Sequence, residues 1–246
     1  MDSFLLHKSG NQKMKVKTCF VIDATGSMGP WIEAAKTQTI NVVNDLRNKH
    51  SEIEFEVAAV FYRDFGDNEQ LKVVDFTSNT VDFTGDINIV KAYGGNDCCE
   101  DVAGGLKAAV DLNWDDADVK NLFLITDAPP HGSGWHSVTV SDNYPNNDFD
   151  IESSLRRISE KDMNFTIIKA SDKIDMMIVR ISAICKNLVV ADLVSRNDIF
   201  EPTLRFPSMR YSDDAGGSIM SPEELTFTRS VTSQVEDSIR RSQSEH

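Results

Sequence analysis

Five apolar or β-branched runs alternate along the chain with segments of helical periodicity, and this alternation limits the fold more than any single motif. The runs lie at residues 15–22, 53–62, 120–126, 164–169 and 187–192. In the third, Leu122-Phe123-Leu124-Ile125 is apolar throughout, as a strand buried on both faces requires. Between them, helical spacing of apolar residues predicts helices over 30–48, 87–93, 100–112, 151–161 and 173–185. Pro30 stands at the favoured early position of the first. The turn Gly66-Asp67-Asn68 leads into a further short strand at 71–76, expected at an antiparallel edge. Strands alternating with helices imply an α/β fold: a doubly wound, mostly parallel sheet with one antiparallel edge strand and helices on both faces.

The 246 residues fit one such domain, since α/β domains of roughly 200–250 residues are ordinary. The periodic pattern occupies residues 15–196, after an N-terminal extension at 1–14. Beyond it, Pro202, Pro207, Gly216, Gly217 and Pro222 are scattered among Ser and Asp. Residues 197–246 therefore read as a polar, partly disordered tail, with a short helix starting at Pro222-Glu223-Glu224.

Thirty-nine acidic against 25 basic side chains give a formal charge of −14, which argues against nucleic-acid or anionic-membrane partners. Near the N-terminus only Phe4-Leu5-Leu6 is apolar, short of the roughly 7–15 residues of a secretory core, and no run reaches the roughly 18 residues of a membrane span. Cys19, Cys98, Cys99 and Cys185 form neither a disulfide framework nor paired zinc spacing. The expected location is the cytoplasm.

The chemistry gathers where strands end. Asp23-Ala24-Thr25-Gly26-Ser27 follows the first strand and places a carboxylate and two hydroxyls at alternate positions. Gly94-Gly95-Asn96-Asp97 precedes a helix, and Asp127 follows the strand 120–126. A doubly wound sheet brings all three loops to its carboxyl edge, where ligands bind. Hard oxygen donors from Asp23, Thr25, Ser27, Asp97 and Asp127 suit Mg2+ or Mn2+. The plainer readings are that Asp23 and Asp127 cap helices, that Thr25 and Ser27 are helix-start hydroxyls, and that Asp97 is an acid favoured by a helix dipole. Asp64 and Glu100 lie at the same edge as outer supports of the site, although Asp64 also reads as a partner of Arg63 or of solvent. Cys98 and Cys99 read as packing residues. His131 and His136, five apart around a Gly-Ser-Gly stretch, lack the spacing of a helical zinc pair and read as loop residues without a role.

These motifs resemble the von Willebrand factor A domain and its metal-ion-dependent adhesion site, whose pattern is Asp-x-Ser-x-Ser, a distant Thr and a later Asp. Here Thr25 replaces the middle Ser, Asp97 stands for the distant Thr, and Thr126-Asp127-Ala128 supplies the last element. Tyr62-Arg63-Asp64, the stretch from Gly95 to Val102, and Thr126-Asp127-Ala128-Pro129-Pro130-His131-Gly132 look like the branch associated with alpha-protein kinases and hemicentin-like proteins. The resemblance implies a Rossmann-like fold and a non-enzymatic, divalent-metal-binding module for protein–protein interaction. It also implies a third carboxylate, at Asp97, where adhesive relatives hold a neutral hydroxyl. That acid predicts a weaker grip on a partner's carboxylate. Two alternatives remain: a Mg2+- or Mn2+-dependent phosphoesterase, and a regulatory subunit or adaptor of an alpha-type kinase. No Gly-x-Ser-x-Gly elbow or Walker loop accompanies the acids, and the residues after 193 leave no room for a kinase domain.

Overall fold

The computed structural model describes residues 13–51, 53–146, 149–192 and 222–244. Its centre is a six-stranded sheet of order β3-β2-β1-β4-β5-β6. In chain order the strands are β1 (Met14–Asp23), β2 (Ile53–Tyr62), β3 (Leu71–Thr77), β4 (Val119–Thr126), β5 (Asn164–Lys169) and β6 (Val189–Asp192). All neighbouring pairs are parallel except β2 and β3, so the one antiparallel strand stands at an edge, as the turn at Gly66 implied.

The helices are α1 (Ile32–Lys49), α2 (Thr80–Asn88), α3 (Val102–Asp111), α4 (Ile151–Glu160), α5 (Asp175–Ile184) and α6 (Pro222–Ser244). Alternation along β1 sorts them into two layers. Val16, Phe20 and Ile22 join the core beneath α1, α2 and α6, whereas Cys19 and Val21 join the core beneath α3, α4 and α5. Both faces of β1 are thus covered, and residues 16–23 are all buried. The rings of Phe20 and Phe123 stack across the β1–β4 pairing at 5.3 Å.

The helix expected over 87–93 forms earlier in the chain. Asn79 caps α2 by accepting hydrogen bonds from the amides of Val81 (3.0 Å) and Asp82 (3.4 Å). Phe83 and Ile87, one turn apart, face the core. The buried Lys36 ammonium ends the helix by donating to the carbonyls of Asn88 and Val90. Ile87 therefore lies in the last turn, and the chain then runs to Gly94 without regular secondary structure.

The short helix expected at Pro222 is a 23-residue α6, and it is built into the core. Val231, Val235 and Ile239 recur every four residues, are buried, and extend the layer formed by α1. Serines and arginines around these three positions hide the stripe from a reading by composition. The remainder of the expected tail, at 197–221, and most of the expected N-terminal extension lie outside the described residues. Among those described, no helix is long and apolar enough to cross a membrane.

Candidate metal centre

The strand order reverses between β1 and β4, and an open parallel sheet has its crevice beyond the carboxyl ends of such a pair. Asp23 ends β1, and Asp127 is the first residue after β4. Backbone hydrogen bonds stitch the surrounding loops together. The Ala24 amide donates to the Tyr62 carbonyl (2.8 Å), the Tyr93 amide to Ala24 (3.0 Å) and the Gly26 amide to Gly94 (3.1 Å). Gly94 and Gly95 both adopt positive φ. A methyl group on Gly94 would lie 2.1 Å from Asp67 Oδ2, the atom that accepts the amides of Asp64 and Gly95.

A continuous chain of oxygen atoms links four of the expected ligands. Asp23 Oδ1 accepts from the Thr25 amide (2.9 Å) and hydroxyl (2.6 Å). Thr25 Oγ1 lies 3.2 Å from Ser27 Oγ, which donates to Asp127 Oδ1 (3.0 Å). Thr126 Oγ1 meets the second Asp23 oxygen at 3.1 Å. Asp23 is wholly buried. Burial, then the Asp127 charge, push its carboxyl up to about 7. Burial also raises Asp127.

Glu100 belongs to the same group. A methyl group on Gly95 would lie 2.6 Å from Glu100 Oε1 and 3.5 Å from Thr25 Cβ, so the carboxylate sits beside the Thr25 loop. Its Oε2 is buried with no hydrogen-bond partner. Burial, and next the charge of Asp23, push it up to about 10. The Tyr62 hydroxyl is likewise buried and unpartnered, and burial followed by the Asp23 charge raises it. Among the described residues no Lys or Arg forms an ion pair with Asp23, Glu100 or Asp127.

Asp97 turns elsewhere. It accepts the amide of Cys99 at 3.0 Å through Oδ1 and the amide of Asn143 through Oδ2. It approaches Asp64 and His131, with one ligand-type atom of each within 4.8 Å of the others. Asp64 does not pair with Arg63. Arg63 sends its guanidinium to the carbonyls of Glu69 and Lys91 and stacks on Tyr93 at 3.9 Å, whereas Asp64 Oδ1 meets His131 Nε2 at 2.7 Å. The two histidines read as loop residues without a role are both buried and bonded. His131 Nδ1 lies 2.7 Å from Asp142 Oδ1, and His136 Nε2 lies 3.0 Å from Asp142 Oδ2. Cys99 is buried and Cys98 partly so, and both are free thiols.

Carboxylates and hydroxyls alone line the Asp23 group, which is the donor set of a small hard dication. The orphaned Glu100 oxygen and the high proton affinity of Asp23 are what such a set has without a cation in contact, the Lys173 charge acting on Asp127 only. The residues present therefore fit Mg2+ or Mn2+. Sequence reasoning missed Tyr62, Thr126 and Asp142. Thr126 and Tyr62 stand at strand ends beside named acids and were open to detection. Asp142 lies within an irregular loop and carried no local signal.

Among solved structures, 73% of the chain overlays 87% of the SpRpn10 VWA domain at a TM-score of 0.50 and 12% identity. A TM-score of 0.55, at 14% identity, relates 93% of the chain to 30% of the pilus adhesin SpaC from Lactobacillus rhamnosus GG in its open conformation. These likenesses concern the fold. By sequence, the chain is 34% identical over 134 residues to the Dictyostelium discoideum alpha-protein kinase vwkA, a stretch covering 54% of this chain and 21% of that relative. The von Willebrand factor A domain family matches residues 17–143, half of the chain, and with the six-stranded sheet and its carboxyl-edge loops this places the chain in the von Willebrand factor A domain family.

Proposed function

We propose that this chain is a divalent-cation-dependent module that binds a protein through the carboxyl edge of its sheet. Domains of this family serve generally in protein interaction, and many of them bind a divalent metal. In this reading Asp23, Thr25, Ser27 and Asp127 hold Mg2+ or Mn2+, and Glu100 is the third carboxylate. Asp97 braces the loop through the amides of Cys99 and Asn143 rather than completing the set. One observation carries the proposal: a chain of carboxylate and hydroxyl oxygens that runs from the buried Asp23 to the exposed Ser27 and meets no Lys or Arg ion pair among the described residues. Three carboxylates around one dication leave a formal charge near −1, so the ion grips a partner's carboxylate weakly and serves mainly to hold three loops in one shape.

Mn2+ titration of the purified protein tests the site. Asp23→Ala should weaken binding by more than about 100-fold, beyond the 10–100-fold typical of losing an outer-shell partner. Glu100→Gln should weaken it less, and Asp97→Asn least. Unchanged Mn2+ affinity in Asp23→Ala overturns the reading. Glu100→Thr, by restoring a neutral hydroxyl, should strengthen Mg2+-dependent capture of acidic peptides, whereas Asp97→Thr should not. A larger gain from Asp97→Thr would return the third-carboxylate role to Asp97.

The match to an alpha-protein kinase supports a second element: the partner is an alpha-type kinase or a protein acting with one. The four free thiols support a reducing, cytoplasmic setting. Co-precipitation with an alpha-kinase domain in Mg2+, lost in EDTA, tests the partner. Retention in EDTA separates the contact from the metal.

A further inference from the structure

A second ligand set lies beside the Asp23 group, and its chemistry differs. Cys99 Sγ, a His136 ring nitrogen and an Asp142 oxygen lie within 4.8 Å of one another, and the three side chains are almost wholly buried. Hydrogen-bond geometry settles which His136 nitrogen is free. Nδ1 is 3.0 Å from the Ser137 carbonyl, which only accepts, so Nδ1 carries the proton. In the neutral ring, Nε2 then aims a lone pair at Asp142 Oδ2, 3.0 Å away. Two lone pairs facing each other at that range repel unless a proton or a metal ion lies between them.

The Asp142 carboxylate is fixed for such a task. Its Oδ1 accepts from the Tyr144 amide (2.7 Å), and its Oδ2 from the Gly132 amide (2.9 Å). His131 Nδ1 braces Oδ1 from the far side at 2.7 Å. A histidine whose other nitrogen is locked on a backbone carbonyl, beside a carboxylate held by amides, is the outer-shell pattern of metal sites.

We propose that Cys99, His136 and Asp142 bind one Zn2+ ion as a second metal site, separate from the carboxylate–hydroxyl site at Asp23. The ion takes Cys99 Sγ, His136 Nε2 and Asp142 Oδ2, with a water molecule in the fourth position. Zinc bonds of about 2.0–2.3 Å put tetrahedral donors roughly 3.3–3.7 Å apart, so the His136–Asp142 pair, at 3.0 Å, would open by a few tenths of an ångström and the Cys99 sulfur, within 4.8 Å, would close in. On binding, the Cys99 thiol releases its proton to solvent and the thiolate bonds the ion. One thiolate and one carboxylate neutralise Zn2+, which suits a buried site. The thiolate also selects zinc over the hard ion expected at Asp23.

The consequence concerns the loop 128–149, which among its described residues holds no helix or long strand and runs past the usual length of an unstructured connection. Backbone bonds already pin it to the start of α3, from the Cys98 amide to Ser141 (3.2 Å) and from the Glu100 amide to Pro129 (3.0 Å). A zinc ion between Cys99 and the loop would fasten the wall of the Asp23 site.

The experiment loads the purified, demetallated full chain with Co2+ in zinc's place and records its absorption spectrum. A thiolate-to-cobalt charge-transfer band with intense tetrahedral visible bands is expected, displaced by one equivalent of Zn2+. Cys99→Ser and His136→Gln should abolish the charge-transfer band or lower Co2+ affinity at least tenfold, with far-UV circular dichroism reporting folding. Cys98→Ser and Asp23→Ala should leave the band intact. Should Cys99→Ser fail to fold, the wild-type spectrum still decides the matter. Absence of a charge-transfer band in the wild type overturns the proposal. So does a band that survives Cys99→Ser or disappears in Asp23→Ala. Proteolysis at 128–149 should also rise when a strong chelator strips the zinc.

Discussion

The two edges of the sheet treat acidic side chains in opposite ways. At the amino edge Lys15 meets Glu54 (3.3 Å), Glu56 (2.9 Å) and Asp116 (2.5 Å), while the buried Lys17 joins Asp116 and Glu56 and donates to the Asn113 carbonyl. The hydrogen bonds from Lys15 and Lys17 hold Asp116 far below the usual carboxylate range. At the carboxyl edge Asp23, Asp127 and Glu100 crowd together without a lysine or arginine ion pair among the described residues, and burial drives their proton affinities up. One edge carries its own cations. The other leaves that charge to be supplied from outside, and the field of a molecule of charge −14 draws cations toward it.

The largest expected effect comes from neutralising the unpaired edge. In EDTA at pH 8, Asp23→Asn should raise stability, because it removes a buried charge while keeping an oxygen for the Thr25 amide and hydroxyl. The shift of Asp23 from 3.8 to about 7 corresponds to ~4 kcal/mol at most. In Mg2+ the gap should narrow, since only the parent gains from ion binding, by ~2.7 kcal/mol at a hundred times Kd and ~4.1 kcal/mol at a thousand times, where the two should be about equal. Paired thermal melts check this, and a lower melting temperature for Asp23→Asn in both buffers would break the contrast between the edges.

The pH dependence follows with a definite sign. Asp23 and Glu100 have folded values above their unfolded ones, so their contribution to stability is whole below pH 4 and is lost as pH rises. The loss runs toward pH 7 for Asp23 and toward pH 10 for Glu100. Without metal the protein should therefore weaken steadily from pH 5 to pH 9. Mg2+ should flatten that decline, an outcome that urea titrations at fixed pH would measure. An equal slope with and without Mg2+ would mean that the ion does not meet these acids.

Much of this was legible in sequence because it rests on local pattern. Apolar strand cores such as Leu122-Phe123-Leu124-Ile125 admit few environments, and the convergence of strand-end loops at the carboxyl edge of a doubly wound sheet foretold that Asp23 and Asp127 lie near each other. Side-chain direction was not legible. Asp97 and Glu100 are three residues apart at a helix start, and their spacing does not say that Glu100 lies beside the Thr25 loop while Asp97 accepts the amides of Cys99 and Asn143. The partners of His131 and His136 were hidden for a similar reason. Judged as a pair by spacing, they fail as metal ligands, but the fold brings both to Asp142 and sets His136 near Cys99, 37 positions earlier. The α6 stripe of Val231, Val235 and Ile239 was lost in a polar composition that describes its exposed face alone.

A backbone change sharpens the comparison at intermediate size. Gly94→Ala introduces a side chain at φ +81° and 2.1 Å from Asp67 Oδ2. It should cost about 1–3 kcal/mol and loosen Mn2+ binding through the Gly94 carbonyl that holds the Gly26 amide. Asp67→Ala in the same chain should recover part of the stability, since it removes the clash but not the backbone strain.

The smallest effect should come from the amino edge. Asp116 is half exposed, and its partners Lys15 and Lys17 keep Glu56, with Lys15 also keeping Glu54, when it is removed. Solvent and salt screen what the pair contributes. Asp116→Asn should lower the melting temperature less than any change above, by an amount that shrinks further in high salt and is the same with Mg2+ or EDTA. That indifference to the divalent ion is the informative result. Lys17 is the deeper member of the cluster, lying 5.1 Å over the Phe76 ring, and Lys17→Met keeps its apolar stem while leaving Asp116 and Glu56 to Lys15. If either substitution altered Mn2+ affinity, charge at one edge would be acting on the other through the β1 and β4 strands, and the two acid groups would have to be treated as one system.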